Sequence, residues 1–245
     1  MVSEPIDATQ PPDGARRGIR SFVVRSGRIT EAQRRALLEL WPRFGIDWPP
    51  AVASDPMQWF AHPAPLSVEI GFGSGETLAR LALAQPARNF IGIEVHRPGI
   101  GQLLRRADRL GLTNLRVVCG DAVEVLRRAF RSSSIDEILI LFPDPWHKKR
   151  HHKRRLILAD FAALLADRLA AGGRLWIATD WQPYADHMLA VLNATPGLRN
   201  LAGGGFAPRP SWREPTRFEQ RGARLGHRVW DLAYEKAARI PSSTN

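Results

Sequence analysis

Short apolar runs rich in β-branched residues alternate with stretches of helical period between residues 66 and 179. This alternation predicts a parallel sheet covered by helices, because consecutive parallel strands need a long crossover connection. The predicted strands are 66–70, 90–95, 115–119, 135–142 and 174–179, with a sixth at 229–234. A chain of 245 residues has the length of one such domain with additions.

Two apolar faces of helical spacing lie between these runs. One comprises Ile100, Leu103, Leu104, Ala107 and Leu110, and the other comprises Leu156, Phe161, Leu164, Leu165 and Leu169. Gly111 and Gly172 follow them and predict where each helix ends. The pattern therefore predicts an α/β domain with helices packed on the sheet.

Segments outside the main domain differ in composition. Residues 1–20 contain Pro11, Pro12 and Gly14 but no apolar core, which predicts a flexible leader and not a secretory signal. Residues 21–65 predict a helix at 29–40 followed by an irregular Trp- and Pro-rich wrap. The domain is expected to span 66–236, with an Arg-rich insertion at 205–227 that contacts substrate and a tail at 237–245.

Three glycines follow the first predicted strand at alternate positions. The segment reads Glu69-Ile-Gly-Phe-Gly-Ser-Gly75, so that Gly71, Gly73 and Gly75 precede a helix that begins at Glu76. Such glycines let the backbone approach a ligand at a helix N-terminus, although a tight turn without a ligand has the same pattern. The dinucleotide fingerprint requires its third glycine where Glu76 stands, which disfavours a nicotinamide or flavin cofactor.

Five successive predicted strands each end at or beside an acid: Glu69, Glu94, Asp121, Asp144 and Asp180. In a parallel sheet these ends lie on one edge, where ligands bind. Five carboxylates on one edge repel each other unless a cationic or richly hydroxylated ligand lies among them. S-adenosylmethionine meets this requirement with its sulfonium, ammonium, ribose hydroxyls and adenine amine.

Individual acids allow more than one role. Glu94 lies about 20 residues after the glycines, where a ribose-binding acid is expected. Asp121 precedes Glu124 in a capping-box pattern, so a helix cap and an adenine contact are equally compatible with it and do not exclude each other. Asp180 has a second interpretation as the cap of a helix that begins near Pro183.

The predicted strand 135–142 ends in Pro143-Asp144-Pro145-Trp146. Two prolines restrict the backbone on both sides of Asp144, which holds its carboxylate at the strand tip. A carboxylate fixed in advance is what electrostatic catalysis requires. Asp144 is therefore the candidate catalytic residue.

A basic segment follows at once. Residues 147–155 read HKKRHHKRR, with six Lys or Arg and no acid, and without these six the net charge falls from +11 to +5. Such runs are often solvated surfaces, but this one joins a core strand to a core helix beside the proposed cofactor edge. That position favours contact with a nucleic-acid backbone.

Other chemistries fit the residues less well. Zinc binding by His147, His151 and His152 is disfavoured because cations stand between them, and no metal is expected. The remaining histidines are expected to be structural or at the surface. Cys119 ends an apolar strand and is expected to be a buried small hydrophobe, which disfavours methylation of a pyrimidine through a cysteine adduct.

The motifs together resemble one family. They are RSFVVRSGR at 20–28, EIGFGSGE, IGIE, GDA, FPDPW followed by the basic run, TDW, and PTRFEQRGARLGH near the C-terminus. The chain is similar in these motifs to the bacterial tRNA (guanine-N7-)-methyltransferases, the TrmB family of class I S-adenosylmethionine-dependent enzymes. The resemblance covers residues 20 to 236 and rests most on FPDPW and T-x-F-E.

The resemblance implies a Rossmann-like α/β fold with a seven-stranded, mostly parallel sheet and an antiparallel last strand. It implies methylation of the variable-loop guanosine at conventional tRNA position 46. The cofactor-binding residues implied are Glu69, Glu94, Asp121 and Asp144, to which the three glycines are added, and Asp144 is also the implied catalytic residue. The implied substrate-binding residues are Lys148, Asp180, Thr216, Arg217, Phe218 and Glu219. The implied RNA-contacting residues are Arg150, His151, His152, Lys153, Arg154 and Arg155.

One residue departs from the motif pattern of the family, and four arginines add to the basic residues expected to bind RNA. Glu214 stands before Pro215 where a basic or neutral residue is expected, which weakens the RNA affinity expected of that loop. The further basic residues expected to support RNA binding are Arg213, Arg217, Arg221 and Arg224. The cysteine usage and the absence of a signal segment predict a cytoplasmic protein, and nothing indicates an obligate protein partner or excludes a monomer.

The chemistry leaves two further functions open. Guanine N7 carries a lone pair and no proton, so it needs positioning more than a general base. Methylation of an exocyclic amine is the enzymatic alternative, because related Asp-Pro strand tips bind such amines. A basic RNA-binding module with a vestigial glycine loop is the alternative without catalysis.

Overall fold

The computed structural model describes residues 29–49, 55–215, 219 and 228–238. Its strands are β1 (Gly45–Ile46), β2 (Leu66–Ile70), β3 (Asn89–Glu94), β4 (Leu115–Cys119), β5 (Ile135–Leu141), β6 (Leu169–Thr179), β7 (Leu198–Asn200) and β8 (Trp230–Lys236). The helices are α1 (Glu31–Glu39), α2 (Trp41–Phe44), α3 (Glu76–Ala84), α4 (Arg97–Arg109), α5 (Ala122–Ala129), α6 (Ala159–Arg168) and α7 (Gln182–Asn193). Two 3-10 helices span Pro56–Trp59 and Lys149–Arg154.

The strands form one sheet in the order β1-β4-β3-β2-β5-β6-β8-β7. Every pairing from β1 to β6 is parallel, whereas β8 is antiparallel to both β6 and β7. The order reverses beside β2, since β3 lies on one side of it and β5 on the other. Ligands bind at this kind of switch point, outside the carboxyl ends of the strands.

Each face of the sheet is covered by its own apolar cluster. Leu66, Val68 and Ile70 of β2 lie in the cluster formed with α5, α6 and α7. The opposite cluster joins α3 and α4 to the sheet through residues such as Leu78 and Leu103. Helices on both faces are thereby confirmed, and the alternation of side chains along β2 aims Ser67 and Glu69 away from the first cluster.

The N-terminal helix forms where the sequence predicts it. The Thr30 side chain accepts a hydrogen bond from the backbone of Gln33, and the Gln33 side chain accepts one from the backbone of Thr30, a reciprocal capping box. Gln33 also contacts α4 closely, because a Cβ added at Gly101 would lie 2.9 Å from the Gln33 carbonyl oxygen. The helix is thus packed against α4, beside the glycine turn.

The sheet differs from the prediction in its edges. It has eight strands within the described residues, because the two-residue β1 extends the edge beside β4. The strand predicted at 174–179 begins earlier, at Leu169, so that Leu169 and Gly172 belong to β6 and not to the end of α6. The antiparallel last strand is confirmed, as is the end of α4 before Gly111.

No helix in the described parts of the chain combines the length and the apolar character needed to cross a membrane.

Candidate active site

The glycine turn after β2 has the backbone conformation that its sequence predicts. Gly71, Gly73 and Gly75 have φ angles of 71°, 57° and 68°, all in the left-handed region where side chains are strained. A Cβ at Gly75 would lie 2.7 Å from Leu103, so packing requires that glycine. A Cβ at Gly71 or Gly73 would meet nothing within 4 Å. The first two glycines therefore face open space, as a backbone that receives a ligand does.

Glu69 lies beneath this turn and is only 3% exposed. Its Oε2 atom is buried and has no hydrogen-bond partner, an expensive arrangement for a carboxyl group without a ligand. The pKa of Glu69 is raised to about 8, mainly by burial and also by the charge of Glu94, while Arg80 opposes the shift. The group is suited to a cationic ligand that would ionise it.

The raised pKa of Glu69 predicts how stability depends on pH. Between about 4.5 and about 8 the unfolded chain has lost a proton that the folded protein retains. Stability therefore falls as pH rises through this window. We expect Glu69→Gln to remove this slope, so that its free energy of unfolding exceeds that of the wild type increasingly towards pH 8, as urea titrations across the window will measure. The exposed Glu124→Gln is the control, and parallel curves for Glu69→Gln and wild type contradict the assignment.

Glu94 connects the glycine turn to the end of β3. Its Oε2 accepts from the Gly73 backbone at 2.9 Å, and its Oε1 accepts from the backbones of Val95 and His96 at 2.7 and 3.0 Å. These bonds fix the carboxylate in one orientation at the edge of the sheet. Oε1 uses both of its lone pairs in these bonds, whereas Oε2 keeps one for a further donor, which suits a ribose hydroxyl of a nucleoside.

Asp121 caps α5, which confirms the helix cap predicted as one of its two roles. Its Oδ1 accepts from the backbones of Val123 and Glu124 at 2.8 and 3.3 Å. The other carboxylate oxygen is not used by this cap, so the adenine contact remains a prediction. Gly120 beside it packs on the N-terminal wrap, because a Cβ there would lie 2.9 Å from Trp48.

The loop that carries Asp144 is conformationally strained on both sides. Phe142 and Trp146 have φ angles of 55° and 48°, a rare conformation for bulky side chains. Asp144 itself is exposed between its two prolines. Such strain persists only where the surrounding structure enforces it, so the contacts of this loop identify what positions the carboxylate.

Arg155 provides one of these contacts. It is 4% exposed, its Nε donates to the Pro145 carbonyl at 3.0 Å, and its guanidinium lies 4.8 Å from the ring of Tyr184. Burial is the main cause that raises the pKa of Tyr184 to about 12, and the charge of Asp144 adds to it. Arg155 therefore supports the Asp144 loop from inside the protein. Its burial corrects the expectation that it contacts RNA.

The rest of the basic run forms a surface, here called the basic strip and defined as Lys148 to Arg154. Lys148, Lys149, Arg150 and Lys153 are exposed, whereas His151, His152 and Arg154 are partly buried. The Trp146 ring contacts both His151 and Arg154. The ring centroids of Trp146 and His151 lie 5.8 Å apart, and the Arg154 guanidinium lies 5.1 Å from the Trp146 centroid. Burial and the four neighbouring cations lower the pKa of His151. The strip thus presents four exposed cations directly after the Asp144 loop.

Asp180 follows β6 and is partly buried. The residue that caps α7 is Trp181, without a side-chain hydrogen bond, so the interpretation of Asp180 as a helix cap is wrong. Asp180 therefore stays available as a substrate-binding residue at the same edge of the sheet as Asp144.

The segment before β8 is anchored by a buried ion-pair cluster. Arg213 is 2% exposed; it donates to both oxygens of Asp231 at 2.8 and 2.9 Å and to Glu219 at 2.5 Å. Arg213 is therefore not one of the RNA-binding cations, contrary to expectation. Glu214 also has a local role, because it lies 3.7 Å from Arg80, which donates to the Trp212 carbonyl.

Several predicted residues lie outside the described part of the chain. They are the segment 1–28, Thr216, Arg217, Phe218, Arg221 and Arg224. Of the implied T-x-F-E motif only Glu219 is described, and its carboxylate contacts Arg213.

The remaining candidates, Cys119 and His187, make structural contacts. Cys119 is partly buried and packs against the cluster of α3 and α4, and burial raises the pKa of its thiol, which opposes a nucleophilic role. His187 is hydrogen-bonded to the Ile157 carbonyl at 3.0 Å. Within the described residues no three His, Cys, Asp or Glu side chains are grouped as a metal site requires.

A parallel sheet with an antiparallel last strand, a glycine turn at its first crossover and acids at its carboxyl edge is the architecture of a class I S-adenosylmethionine-dependent methyltransferase. A family model described as putative methyltransferase matches residues 63–232. Among solved structures, an rRNA methylase from Streptococcus thermophilus is 15% identical, covers 71% of this chain and 88% of that chain, and has a TM-score of 0.49.

Relatives of much higher identity cover nearly the whole chain. The tRNA (guanine-N(7)-)-methyltransferase of Alcanivorax borkumensis is 51% identical over 223 residues, which are 91% of this chain and 93% of that protein. The protein of the same name from Methylococcus capsulatus is 55% identical over 222 residues, which are 90% and 95% of the two chains. The chain belongs to the tRNA (guanine-N(7)-)-methyltransferase family.

Proposed function

We infer that the protein transfers the methyl group of S-adenosylmethionine to N7 of a guanosine in tRNA. The observation that carries this inference is the position of Asp144. It lies on a strained loop between a cofactor edge lined with acids and a strip of exposed cations. Methyl transfer to RNA requires these two surfaces to meet at one point.

The cofactor edge fits S-adenosylmethionine. Glu69 offers a buried oxygen without a partner for a cationic group, Gly71 and Gly73 leave space beside the backbone, and Glu94 has Oε2 fixed for a ribose hydroxyl. Asp121 and Asp144 complete the proposed set. When bound, the cofactor supplies an electrophilic methyl group on a sulfonium.

The protein's own contribution is to position and stabilise, because guanine N7 has a lone pair and loses no proton. As N7 is methylated the purine becomes cationic, and a carboxylate beside it is favourable. We assign this role to Asp144, with Asp180 at the adjacent strand end. Lys148 is the candidate donor to guanine O6, since a donor aimed at N7 itself would block the nucleophile.

Exposure of the basic strip sets the expected salt dependence of tRNA binding. Six basic residues at single-strand phosphates would give a slope of log K against log salt of about 4. Lys148 is assigned to guanine O6, and of the other five basic residues only Lys149, Arg150 and Lys153 are exposed, which reduces the slope to about 2. We expect replacement of these three by Gln to lower the measured slope by about 2. The control is the double variant Arg34→Gln and Arg35→Gln on α1. An unchanged slope in the threefold variant would make the strip a solvated surface.

The modified atom is tested by the chemistry of the product. N7-methylation makes a guanosine sensitive to borohydride and aniline, which then cut the RNA, whereas methylation of an exocyclic amine leaves the chain intact. Unmodified tRNA incubated with protein and labelled cofactor should acquire label and one aniline cut. We propose that the cut maps to the variable-loop guanosine, conventional position 46; label without a cut supports the exocyclic-amine alternative.

The alternative of an RNA-binding module without catalysis is tested by cofactor binding alone. We expect calorimetry to show saturable binding of S-adenosylmethionine that is lost in Glu94→Ala. Absence of binding to the wild-type protein overturns the proposed function.

We propose further that the protein acts as a cytoplasmic monomer and that residues 205–227 contact the tRNA. The buried anchor of Arg213 supports the second point, because it fixes the start of that segment to β8. Light scattering with and without tRNA measures the oligomeric state.

A further inference from the structure

Trp181 is the most exposed large aromatic residue in the described part of the chain. It is 38% exposed, and the other exposed large apolar residues there are the leucines Leu38, Leu83, Leu110 and Leu201. No other described Phe, Tyr or Trp reaches that exposure. Exposed aromatic side chains at an RNA-binding surface are the ones on which unpaired bases stack.

Its location connects this surface to the proposed site. Trp181 directly follows Asp180 at the carboxyl end of β6 and begins α7. The carboxyl ends of β5 and β6 are adjacent, since Leu141 pairs with Ala178. Asp144 follows the first of these ends and Trp181 follows the second.

A second aromatic ring holds the indole in place. The rings of His147 and Trp181 lie 4.4 Å apart between centroids at an interplanar angle of 86°, an edge-to-face arrangement. His147 is three residues beyond Asp144 and joins the Asp144 loop to the basic strip. The pair therefore couples an exposed aromatic side chain to the loop that carries the candidate catalytic residue.

Exposed aromatic rings of this kind bind unstacked bases. Specific RNA recognition mostly uses splayed-out bases that stack on aromatic side chains, and such stacking contributes to affinity whichever base is bound. A cationic ring is attracted further to an indole face. In the proposed reaction the N7 lone pair forms the bond to the methyl carbon, the bond from carbon to sulfur breaks with its electrons going to sulfur, and the purine acquires the positive charge.

We propose that Trp181, held by His147, is the stacking surface for the target guanine and that it binds the methylated, cationic base more strongly than the neutral one. This inference rests on the proposed function. It adds a residue that contacts the base and a reason why the charge developed in the reaction is favoured there.

The test compares Trp181→Leu and Trp181→Phe with Leu201→Ala, a change at an apolar residue of similar exposure. We expect Trp181→Leu to lower the single-turnover rate of tRNA methylation about ten- to a hundredfold, while Trp181→Phe retains most of the rate. Affinity for methylated tRNA should fall more than affinity for unmodified tRNA. The affinity for S-adenosylhomocysteine, the Tm and the Leu201→Ala rate should stay at the wild-type values.

Three results overturn this inference without touching the proposed function. The first is a wild-type rate in Trp181→Leu, and the second is an equal loss of affinity for both RNAs. A fall in the Tm of Trp181→Leu together with its cofactor affinity would show a structural role and overturns it as well. Failure of the wild-type protein to methylate tRNA overturns the proposed function itself and is recognised separately.

Discussion

Asp144→Asn is expected to slow methyl transfer by about a hundred- to a thousandfold. A carboxylate at about 4 Å from a new positive charge contributes at most about 4 kcal/mol at an effective dielectric of about 20, and each 1.4 kcal/mol corresponds to about tenfold in rate. Asparagine keeps the shape of the side chain and removes its charge. The measurement is the single-turnover rate at saturating cofactor and saturating tRNA.

Asp144→Asn should change only the charge at this position, because the contacts that hold the loop do not involve the carboxylate. Pro143, Pro145 and the bond from Arg155 to the Pro145 carbonyl hold the backbone, and none of them depends on the Asp144 charge. The fold should therefore be unchanged, as the Tm will report. Asp160→Asn, an exposed acid in the first turn of α6, is the matched control and should keep the full rate. Full turnover by Asp144→Asn under saturating conditions contradicts the electrostatic role.

Arg213→Met is expected to cost about 3–5 kcal/mol of folding stability, because it leaves the buried carboxylate of Asp231 without its cation. Asp231 and Glu219 are 5% and 6% exposed, and both contact the Arg213 guanidinium. Burial raises the pKa of Asp231 and Arg213 opposes that shift, so part of the loss should be recovered as the pH is lowered and Asp231 becomes protonated. Urea unfolding at neutral and acidic pH measures both effects.

A surface ion pair on the same strand provides the control. Arg199 is 63% exposed and pairs with Glu235 of β8 at 2.7 Å, so that Arg199→Met should cost no more than about 1 kcal/mol. If Arg213→Met is equally mild, the buried cluster is not what holds the segment before β8.

The central part of the fold was predictable because its signals are local. Strand β2 has the predicted bounds, and the glycine turn after it has the left-handed angles that alternate glycines allow. The edge strands β1 and β7 contain two and three residues, too few for an apolar alternation to be visible in the sequence. Their formation depends on pairing with β4 and β8, which are distant in the chain.

In the candidate site, too, local features were predictable and contacts between distant residues were not. The acids at the strand ends were predictable, since a parallel sheet brings all such ends to one edge. The burial of Arg155 and Arg213 was not predictable, because a sequence of charged residues does not show which of their side chains face the core. Asp231 is far from Arg213 in sequence, and no spacing rule connects them. Trp181 carried one signal, its place directly after a predicted strand-end acid, but only the structure shows its exposure.

The most direct test of N7 methylation replaces the N7 atom of the target guanosine. A tRNA in which 7-deazaguanosine stands at the variable-loop position lacks the nitrogen proposed as nucleophile and keeps the exocyclic amine and O6. We predict that this tRNA competes with unmodified tRNA for binding but accepts no labelled methyl group. Methylation of the 7-deazaguanosine tRNA at the rate of the unmodified tRNA would contradict N7 methylation at that position.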